Sequence, residues 1–284
     1  MSYAHPDVLV STDWVAKHSR DPDLRLIEVD VDTTAYDSGH VSGAVGWNWQ
    51  SQLNDPLRRD IPDAEAFANL LSSAGVTPQT TLVLYGDNNN WFAAFAFWLL
   101  QLYGHENARL MNGGRAKWAA EGRPLTTEPA SVSATRYPVP VRVNATLRAK
   151  RPDVEKALES TSAVLVDVRS PAEFKGEIIA PPGLPETAQR PGRIPGAKSV
   201  PWAQAVASDG TFKPHQELER LYRDAGVIDG KDREVIAYCR IGERSSHTWF
   251  ALKYLLGVKQ VKNYDGSWTE WGNLVGAPIA KGGA

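Results

Sequence analysis

The chain repeats one pattern of residues in its two halves. Residues 82–104 (LVLYGDNNNWFAAFAFWLLQLYG) and residues 235–257 (VIAYCRIGERSSHTWFALKYLLG) share a tyrosine and a final glycine at one constant offset. The same offset relates four further pairs: Gly43 with Gly196, Trp49 with Trp202, Gly113 with Gly266, and Trp118 with Trp271. A register shared by several separate segments indicates two copies of one fold.

Chain length and a change in composition place the boundary between the two copies. At 284 residues the chain is about twice the usual size of a single domain. Residues 126–145 are rich in Ser, Thr and Pro and lack helical periodicity, as is typical of an extended connector. We therefore predict a first domain over residues 1–125, a linker over 126–145 and a second domain over 146–284.

Each copy alternates short apolar runs of strand length with longer helical patterns. The runs LRLIEVDV and TLVLYG in the first copy, and AVLVDVR and EVIAYC in the second, are separated by helix-like segments such as AEAFANLLSSAG and QELERLYRDAG. This alternation predicts an α/β fold in which each domain is a mostly parallel sheet with helices on both faces. Functional sites in such sheets lie at the carboxyl ends of the strands.

Composition excludes several classes of partner. The formal net charge is -2, the sequence pI is about 6.3, and no basic run is long enough to follow a phosphate backbone, so we expect no nucleic-acid partner. No stretch approaches the ~20 apolar residues of a membrane span, and the first residues lack the pattern of a signal peptide. We therefore expect a cytoplasmic protein without a membrane partner.

The only cysteine, Cys239, stands where a predicted strand ends and a predicted helix is about to begin. A lone cysteine forms no internal disulfide, so it is either a small core residue or a reactive thiol. At the matched position the first copy has Gly86, and its residues 86–91 contain neither a thiol nor an arginine. We interpret the position as the mouth of a loop, which favours a reactive thiol.

The residues after the cysteine are those that would stabilise a thiolate. Arg240 and Arg244 bring positive charge, and Gly242 allows a tight turn that points several backbone N–H groups at one centre. Cations and a helix N-terminus both lower the pKa of a thiol, so we predict a lowered pKa for Cys239.

Ser245, Ser246 and Glu243 are the other polar side chains of this segment. Ser245 or Ser246 is expected to cap the following helix. A carboxylate inside an anion-binding loop would repel an anion, so we expect Glu243 to point outward or to engage an arginine.

Six segments together resemble the tandem-domain sulfurtransferases of the rhodanese family, nearly from end to end of the chain. The segments are GHVSGAVGWNW (39–49), NGGRAKW (112–118), LVDVRSPAEF (165–174), GRIPGAKSVPW (192–202), YCRIGERSS (238–246) and YDGSW (264–268). The resemblance implies two rhodanese-like domains, an inactive first and an active second. It also implies a six-residue loop, opened by Cys239, that carries a persulfide intermediate.

The activity that the resemblance implies is transfer of sulfur from thiosulfate to cyanide or another thiophilic acceptor, or the 3-mercaptopyruvate variant of this reaction. It requires no metal and no organic cofactor, and its partners are a small anionic donor and the acceptor. Ile241 departs from the family, because thiosulfate enzymes of the vertebrate type have a lysine there. We still predict thiosulfate as donor, since Arg240 and Arg244 remain.

Several polar residues outside the loop have two interpretations. The resemblance places Asp167 near the loop, but a pair with Arg169 that locks strand to helix, with Glu173 in the same lock, is an alternative. Arg193, like Arg190, either lines the site or lies on the surface. His247 follows the loop inside the predicted helix, where a core or surface histidine is favoured over a Cys–His dyad.

Predicted binding residues are thus the loop residues Arg240, Ile241, Gly242, Glu243, Arg244 and Ser245, together with Asp167 and Arg193. Two other readings stay open. A cysteinyl-phosphatase is disfavoured because its loop has five residues between Cys and Arg, whereas four intervene here. A non-enzymatic persulfide carrier or redox module would pass sulfur from Cys239 to another protein.

Overall fold

The computed structural model describes residues 2–160, 162–183 and 187–283, and these divide into two compact units. The first unit consists of Pro6–Asn144 and Ser208–Phe212. The second unit consists of the described residues up to His5, Ala145–Ala207, and those from Lys213 onward. Two short segments therefore belong to the unit of the other half of the sequence.

The first unit is built on one parallel sheet. Its strands are β1 (Leu9–Val10), β2 (Leu24–Asp30), β3 (Val45–Asn48), β4 (Thr81–Tyr85) and β5 (Ala108–Met111), in the order β1-β5-β4-β2-β3. Its helices are α1 (Thr12–His18), α2 (Thr34–Ser38), α3 (Trp49–Gln52), α4 (Ala64–Ser73), α5 (Trp91–Leu102) and α6 (Gly114–Ala120). These strands pair in parallel, as the sequence predicts.

The second unit repeats this plan with four strands among its described residues. They are β6 (Ala163–Asp167), β7 (Lys198–Ser199), β8 (Glu234–Tyr238) and β9 (Val261–Asn263), in the order β7-β6-β8-β9, and all pair in parallel. The helices are α7 (Arg151–Glu159), α8 (Pro171–Lys175), α9 (His215–Asp224), α10 (Glu243–Phe250) and α11 (Ser267–Trp271). A π-helical turn, Ala251–Leu255, continues α10.

The apolar content of each segment explains its burial. Helix α5 is apolar on all sides, and ten of its twelve residues are buried, as expected for a helix inside a core. The middle of β8 is likewise buried, and Ile236 and Tyr238 join Trp268 and Trp271 in the core of the second unit. Residues 126–144 run without helix or strand and bond to the first unit, where Thr135 N–H donates to the Ser72 carbonyl. No helix in the described ranges is long and apolar enough to cross a membrane.

Asp30, at the end of β2, is a buried carboxyl in the first unit. It is 1% exposed, and its Oδ1 accepts a hydrogen bond from the Asp87 N–H at 2.9 Å. Burial raises the pKa of Asp30 to about 8, and the carboxylates of Asp87 and Glu28 act in the same direction. An unfolded aspartate has a pKa of about 3.9, so between these values the folded chain holds a proton that the unfolded chain has lost.

We predict that the free energy of unfolding falls as pH rises from about 5 to about 8, and that Asp30→Asn reduces this dependence. The asparagine carries no charge, so the variant should gain stability over the wild type at the upper end of the range. Urea unfolding at several pH values measures the effect. Asp23→Asn, at an exposed position just before β2, is the control. An unchanged pH slope in Asp30→Asn would contradict the assignment.

Candidate active site

Cys239 occupies the first position after β8, and α10 begins four residues later at Glu243. The strand–loop–helix placement is therefore as predicted. The prediction of an open loop mouth is wrong, because Cys239 is fully buried and Gly86, its counterpart in the first unit, is buried too. A Cβ on Gly86 would lie 2.2 Å from the Val29 carbonyl oxygen, so the first unit has no room for a side chain there.

Gly242 makes the turn that brings a backbone N–H to the sulfur. Its φ is +104°, and a Cβ there would lie 2.9 Å from the Cα of Asp265, so both the conformation and the space require glycine. The Gly242 N–H donates to the Cys239 Sγ over 3.1 Å. Among the described residues, the structure thus shows one main-chain donor to the sulfur, where the sequence predicts several.

Glu243 points into the loop, toward the sulfur. Its side chain is buried, and its Oε2 lies 3.1 Å from Sγ of Cys239 and accepts the thiol hydrogen. Its Oε1 lies 3.5 Å from Nε of Arg244 and 4.0 Å from Nη2 of Arg240. The expectation that Glu243 engages an arginine is thus confirmed, while the alternative of an outward side chain is wrong.

The pKa of the Cys239 thiol is raised, which corrects the prediction of a lowered value. Burial is the largest cause, because it disfavours the thiolate, and the charge of Glu243 adds to it. Arg244 and the Ser245 hydroxyl act in the opposite direction but do not outweigh these causes. The resting sulfur is therefore a thiol that donates to Glu243.

Arg244 forms a two-pronged ion pair with Glu173 of α8. Its Nη1 and Nη2 donate to the two carboxylate oxygens at 3.0 and 3.1 Å, and both side chains are buried. Burial opposes ionisation of Glu173, but the hydrogen bonds and charge of Arg244 lower its pKa overall. Glu173 also accepts from the Ser170 N–H at 3.0 Å, which caps α8. Its two-oxygen ion pair is thus with Arg244 of the loop, which corrects the expectation that Glu173 belongs to the Asp167–Arg169 lock.

The serines of the loop are buried within the first turn of α10 and do not cap it. The N-cap is Gly242, without a side-chain cap bond, which corrects the prediction for Ser245 and Ser246. The Ser245 hydroxyl lies 2.6 Å from Oδ1 of Asn263 and 3.6 Å from Sγ. Nδ2 of Asn263 donates to the Ser246 hydroxyl at 2.8 Å. Asn263, at the end of β9, was missed because nothing in its local sequence marks it.

The YDGSW segment covers the sulfur from another side. The Ser267 hydroxyl accepts from the Cys239 N–H at 3.0 Å and lies 4.0 Å from Sγ. Asp265 pairs with Arg148 through two bonds of 2.8 Å. The motif was noted in the sequence for the resemblance it carries, but its contact with the cysteine was not predicted.

Asp167 and Arg169 form the strand-to-helix lock that was one of the two interpretations. Arg169 Nη2 donates to Asp167 at 2.6 Å and to the Gly192 carbonyl at 2.7 Å, and both side chains are fully buried. The Arg169 guanidinium also lies over the Trp268 ring, 4.5 Å from its centre. Asp167 pairs in register with Tyr238, next to Cys239, but its carboxylate is engaged by Arg169.

Arg193 and Arg190 bind carbonyl groups of the second unit. Arg193 Nη1 donates to Gly282 at 2.7 Å, and its guanidinium lies over the Phe174 ring. Arg190 donates to four carbonyls between residues 271 and 277, and it is half-buried, so the surface interpretation is wrong for it. These contacts fasten residues 190–193 to the C-terminal part of the unit.

The last two residues considered in this segment, Ile241 and His247, are both buried. Ile241 is buried within the loop. His247 is buried, its ring lies 5.8 Å from that of Trp202, and burial lowers its pKa to about 3. The core interpretation of His247 is confirmed. Among the described residues, no group of three His, Cys, Asp or Glu side chains is placed to hold a metal ion.

The matched loop of the first unit holds no comparable chemistry. Asn88, Asn89 and Asn90 all have positive φ, and Asn90 Oδ1 accepts from the Gly86 N–H at 3.0 Å instead of capping α5. The segment Ser208–Phe212 lies against this region, where the Phe212 N–H donates to Oδ1 of Asn112 at 2.9 Å.

Comparison with known families assigns the fold. The rhodanese-like domain model matches the chain twice, over residues 11–121 and 151–274. The chain belongs to the rhodanese-like domain family.

Individual relatives extend over nearly the whole chain. The sulfur carrier protein TtuD of Thermus thermophilus is 56% identical over 99% of each chain. A protein of Haloferax volcanii, provisionally named a thiosulfate sulfurtransferase, is 57% identical over 97% of each. Among solved structures, the 3-mercaptopyruvate sulfotransferase SseA of Escherichia coli is 29% identical, with a TM-score of 0.77 over 92% of this chain and 98% of that one.

We predict that Glu173→Gln lowers the free energy of unfolding by about 3–5 kcal/mol, because it leaves the buried charge of Arg244 without its two-oxygen partner. The lowered pKa of the Glu173 carboxyl adds a pH dependence to the wild type. The ion pair stabilises the fold fully above pH about 4.3, the pKa of an unfolded glutamate, and this stabilisation is lost as pH falls through the pKa of Glu173 in the folded chain. Denaturant unfolding at neutral and acidic pH measures both effects.

Glu219→Gln is the matched control for this experiment. Glu219 pairs with Arg223 one turn away on the exposed side of α9, and such surface pairs contribute only about 0.3–0.5 kcal/mol. Equal losses in the two variants would show that the Glu173 pair does not support the loop.

Proposed function

We propose that the protein is a sulfurtransferase that carries sulfur as a persulfide on Cys239. The observation that supports this best is a single buried thiol whose sulfur accepts the Gly242 N–H at the start of α10. A main-chain donor and a helix N-terminus favour the negative charge that a persulfide brings. The relatives named as a sulfur carrier, a thiosulfate sulfurtransferase and a 3-mercaptopyruvate enzyme all concern sulfur transfer in their names.

The reaction proceeds in two steps through the cysteine. Sγ attacks the outer sulfur of the donor, and the bond between the two donor sulfurs breaks with its electron pair leaving on sulfite when the donor is thiosulfate. The acceptor, cyanide or another thiophile, then attacks the outer sulfur of the persulfide and restores Cys239. Covalent catalysis of this kind predicts ping-pong kinetics.

Thiosulfate is the donor that we propose. The name of the Haloferax relative and the two loop arginines support it. The positive charge of the two arginines is partly balanced, because Glu173 pairs with Arg244 and Glu243 lies near both arginines. Each alternative function is supported by one observation. The similarity to SseA supports 3-mercaptopyruvate as the sulfur donor, and the identity to TtuD supports a carrier role with a protein acceptor.

The phosphatase alternative is disfavoured by the length of the loop. A cysteinyl-phosphatase has five residues between its cysteine and arginine, whereas four lie between Cys239 and Arg244.

We predict that incubation with thiosulfate adds the mass of one sulfur atom to the wild type and none to Cys239→Ala or Cys239→Ser. Both variants should lose sulfur transfer to cyanide entirely, because the chain has no other thiol. Intact-mass spectrometry and thiocyanate formation are the two measurements, and far-UV circular dichroism confirms that each variant is folded.

The same assays separate the remaining readings. Steady-state kcat/KM values for thiosulfate and 3-mercaptopyruvate rank the donors, and a preference for 3-mercaptopyruvate would overturn the choice of thiosulfate. A persulfide that forms but is not released to cyanide, and is released to a protein thiol, would favour the carrier role. Thiocyanate formation by Cys239→Ala would contradict the assignment of Cys239 as the nucleophile.

A further inference from the structure

The resting thiol has a carboxylate as its hydrogen-bond acceptor, and this raises the question of where its proton goes when the sulfur reacts. Among the described residues, Glu243 is the carboxylate that accepts the hydrogen bond from Sγ, at 3.1 Å through Oε2. The hydroxyls of Ser245 and Ser267 lie farther from Sγ, at 3.6 and 4.0 Å, and both are donors toward it. A hydroxyl is also a far weaker base than a carboxylate, so neither serine is placed to take the thiol proton.

The other oxygen of Glu243 is held by positive charge. Oε1 lies 3.5 Å from Arg244 Nε and 4.0 Å from Arg240 Nη2, so the two arginines orient the carboxylate and leave Oε2 directed at the thiol. Glu173 balances Arg244 from its other side. Within the part of the chain that the structure describes, Arg240 and Arg244 face Glu243 directly, and Glu173 contacts Arg244 behind them.

We propose that Glu243 is a catalytic proton acceptor that takes the Cys239 proton as the sulfur attacks the donor. This inference rests on the proposed sulfur transfer. In the step, the Sγ–H bond breaks and the proton passes to Oε2, while an Sγ electron pair forms the bond to the outer sulfur of thiosulfate. The sulfur–sulfur bond of thiosulfate breaks and its electron pair leaves on sulfite. The products are an anionic persulfide, a neutral Glu243 and sulfite, so charge and atoms balance without a further reactant.

The timing follows from ordinary acid–base chemistry. A thiolate is a stronger base than a carboxylate by about four pKa units, so the resting proton stays on sulfur. As the new bond forms, the attacking sulfur loses its basicity, and a carboxylate within hydrogen-bond distance then becomes the better base. General base catalysis of this kind contributes about 10²–10⁴-fold to a rate.

The test is the pH dependence of persulfide formation in a single turnover, measured as sulfite release from thiosulfate. The wild-type rate should change less than about threefold between pH 8 and pH 6, because the proton acceptor is part of the site. In Glu243→Gln only the thiolate fraction can react, so its rate should fall by about tenfold for each pH unit below the thiol pKa. At pH 6 we expect the variant to be about 100-fold slower than the wild type. Glu243→Asp, which keeps a carboxylate, should recover part of this loss.

Glu177→Gln is the control, since Glu177 is an exposed carboxylate of the same unit. If Glu243 acted only by repelling the anionic donor, Glu243→Gln would be faster than the wild type at every pH, and this result would overturn the proposal. Should Glu243→Gln fail to fold, the wild type still decides: a tenfold fall in its rate per pH unit below pH 8 also overturns it.

Alkylation of Cys239 by iodoacetamide separates this proposal from the proposed function. The thiol loses the same proton and iodide leaves, but no sulfur donor takes part. A flat pH profile in the wild type together with a steep one in Glu243→Gln supports the proton acceptor even if thiosulfate adds no sulfur. Equal pH profiles in the two proteins overturn it even if sulfur transfer is confirmed.

Discussion

The buried ion pair between Arg244 and Glu173 holds the sulfur site together. It joins the start of α8, which follows β6, to the first turn of α10, which follows β8, so it links the carboxyl ends of two neighbouring strands. Two charges taken out of water are costly unless their hydrogen bonds are complete, and the two-pronged contact supplies these bonds. A shift of the first turn of α10 would separate the two charges and leave each of them buried without its partner. The loop that carries Cys239 is therefore supported by a segment far from it in sequence.

The two copies share the strand that precedes the loop but differ in the loop itself. Tyr238 accepts the Ile194 N–H through its hydroxyl, and Tyr85 accepts the Val41 N–H in the same way, so the strands that carry the two loops are fixed alike. The residues that follow differ, because the backbone after Tyr85 approaches Val29 too closely to admit a side chain. The first copy lacks the space for a cysteine as well as the residue itself.

The fold could be predicted from the sequence because it depends on periodicity. The alternation of apolar runs and the shared register of Tyr85 and Tyr238 correctly indicated two parallel sheets, and they placed Cys239 at the end of a strand. What failed were statements about side-chain direction and burial. Glu243 points inward because it contacts Cys239 and Arg244, and the thiol pKa rises mainly because the sulfur is buried; neither can be read from the local sequence. Asn263 reaches the loop because β9 lies next to β8 in the sheet, and no local sequence pattern predicts this contact.

The charge balance around the sulfur explains why a buried site can change its protonation. Arg240 and Arg244 are matched by Glu243 and Glu173, and the resting thiol is neutral. In the proposed reaction the persulfide carries a negative charge, and the thiol proton neutralises the negative charge of Glu243 in the same step. The sum over the site therefore stays constant, and no new charge has to be stabilised in a region that water does not reach. A carboxylate beside the nucleophile, which would be a liability for simple binding of an anion, becomes an advantage once the covalent step is considered.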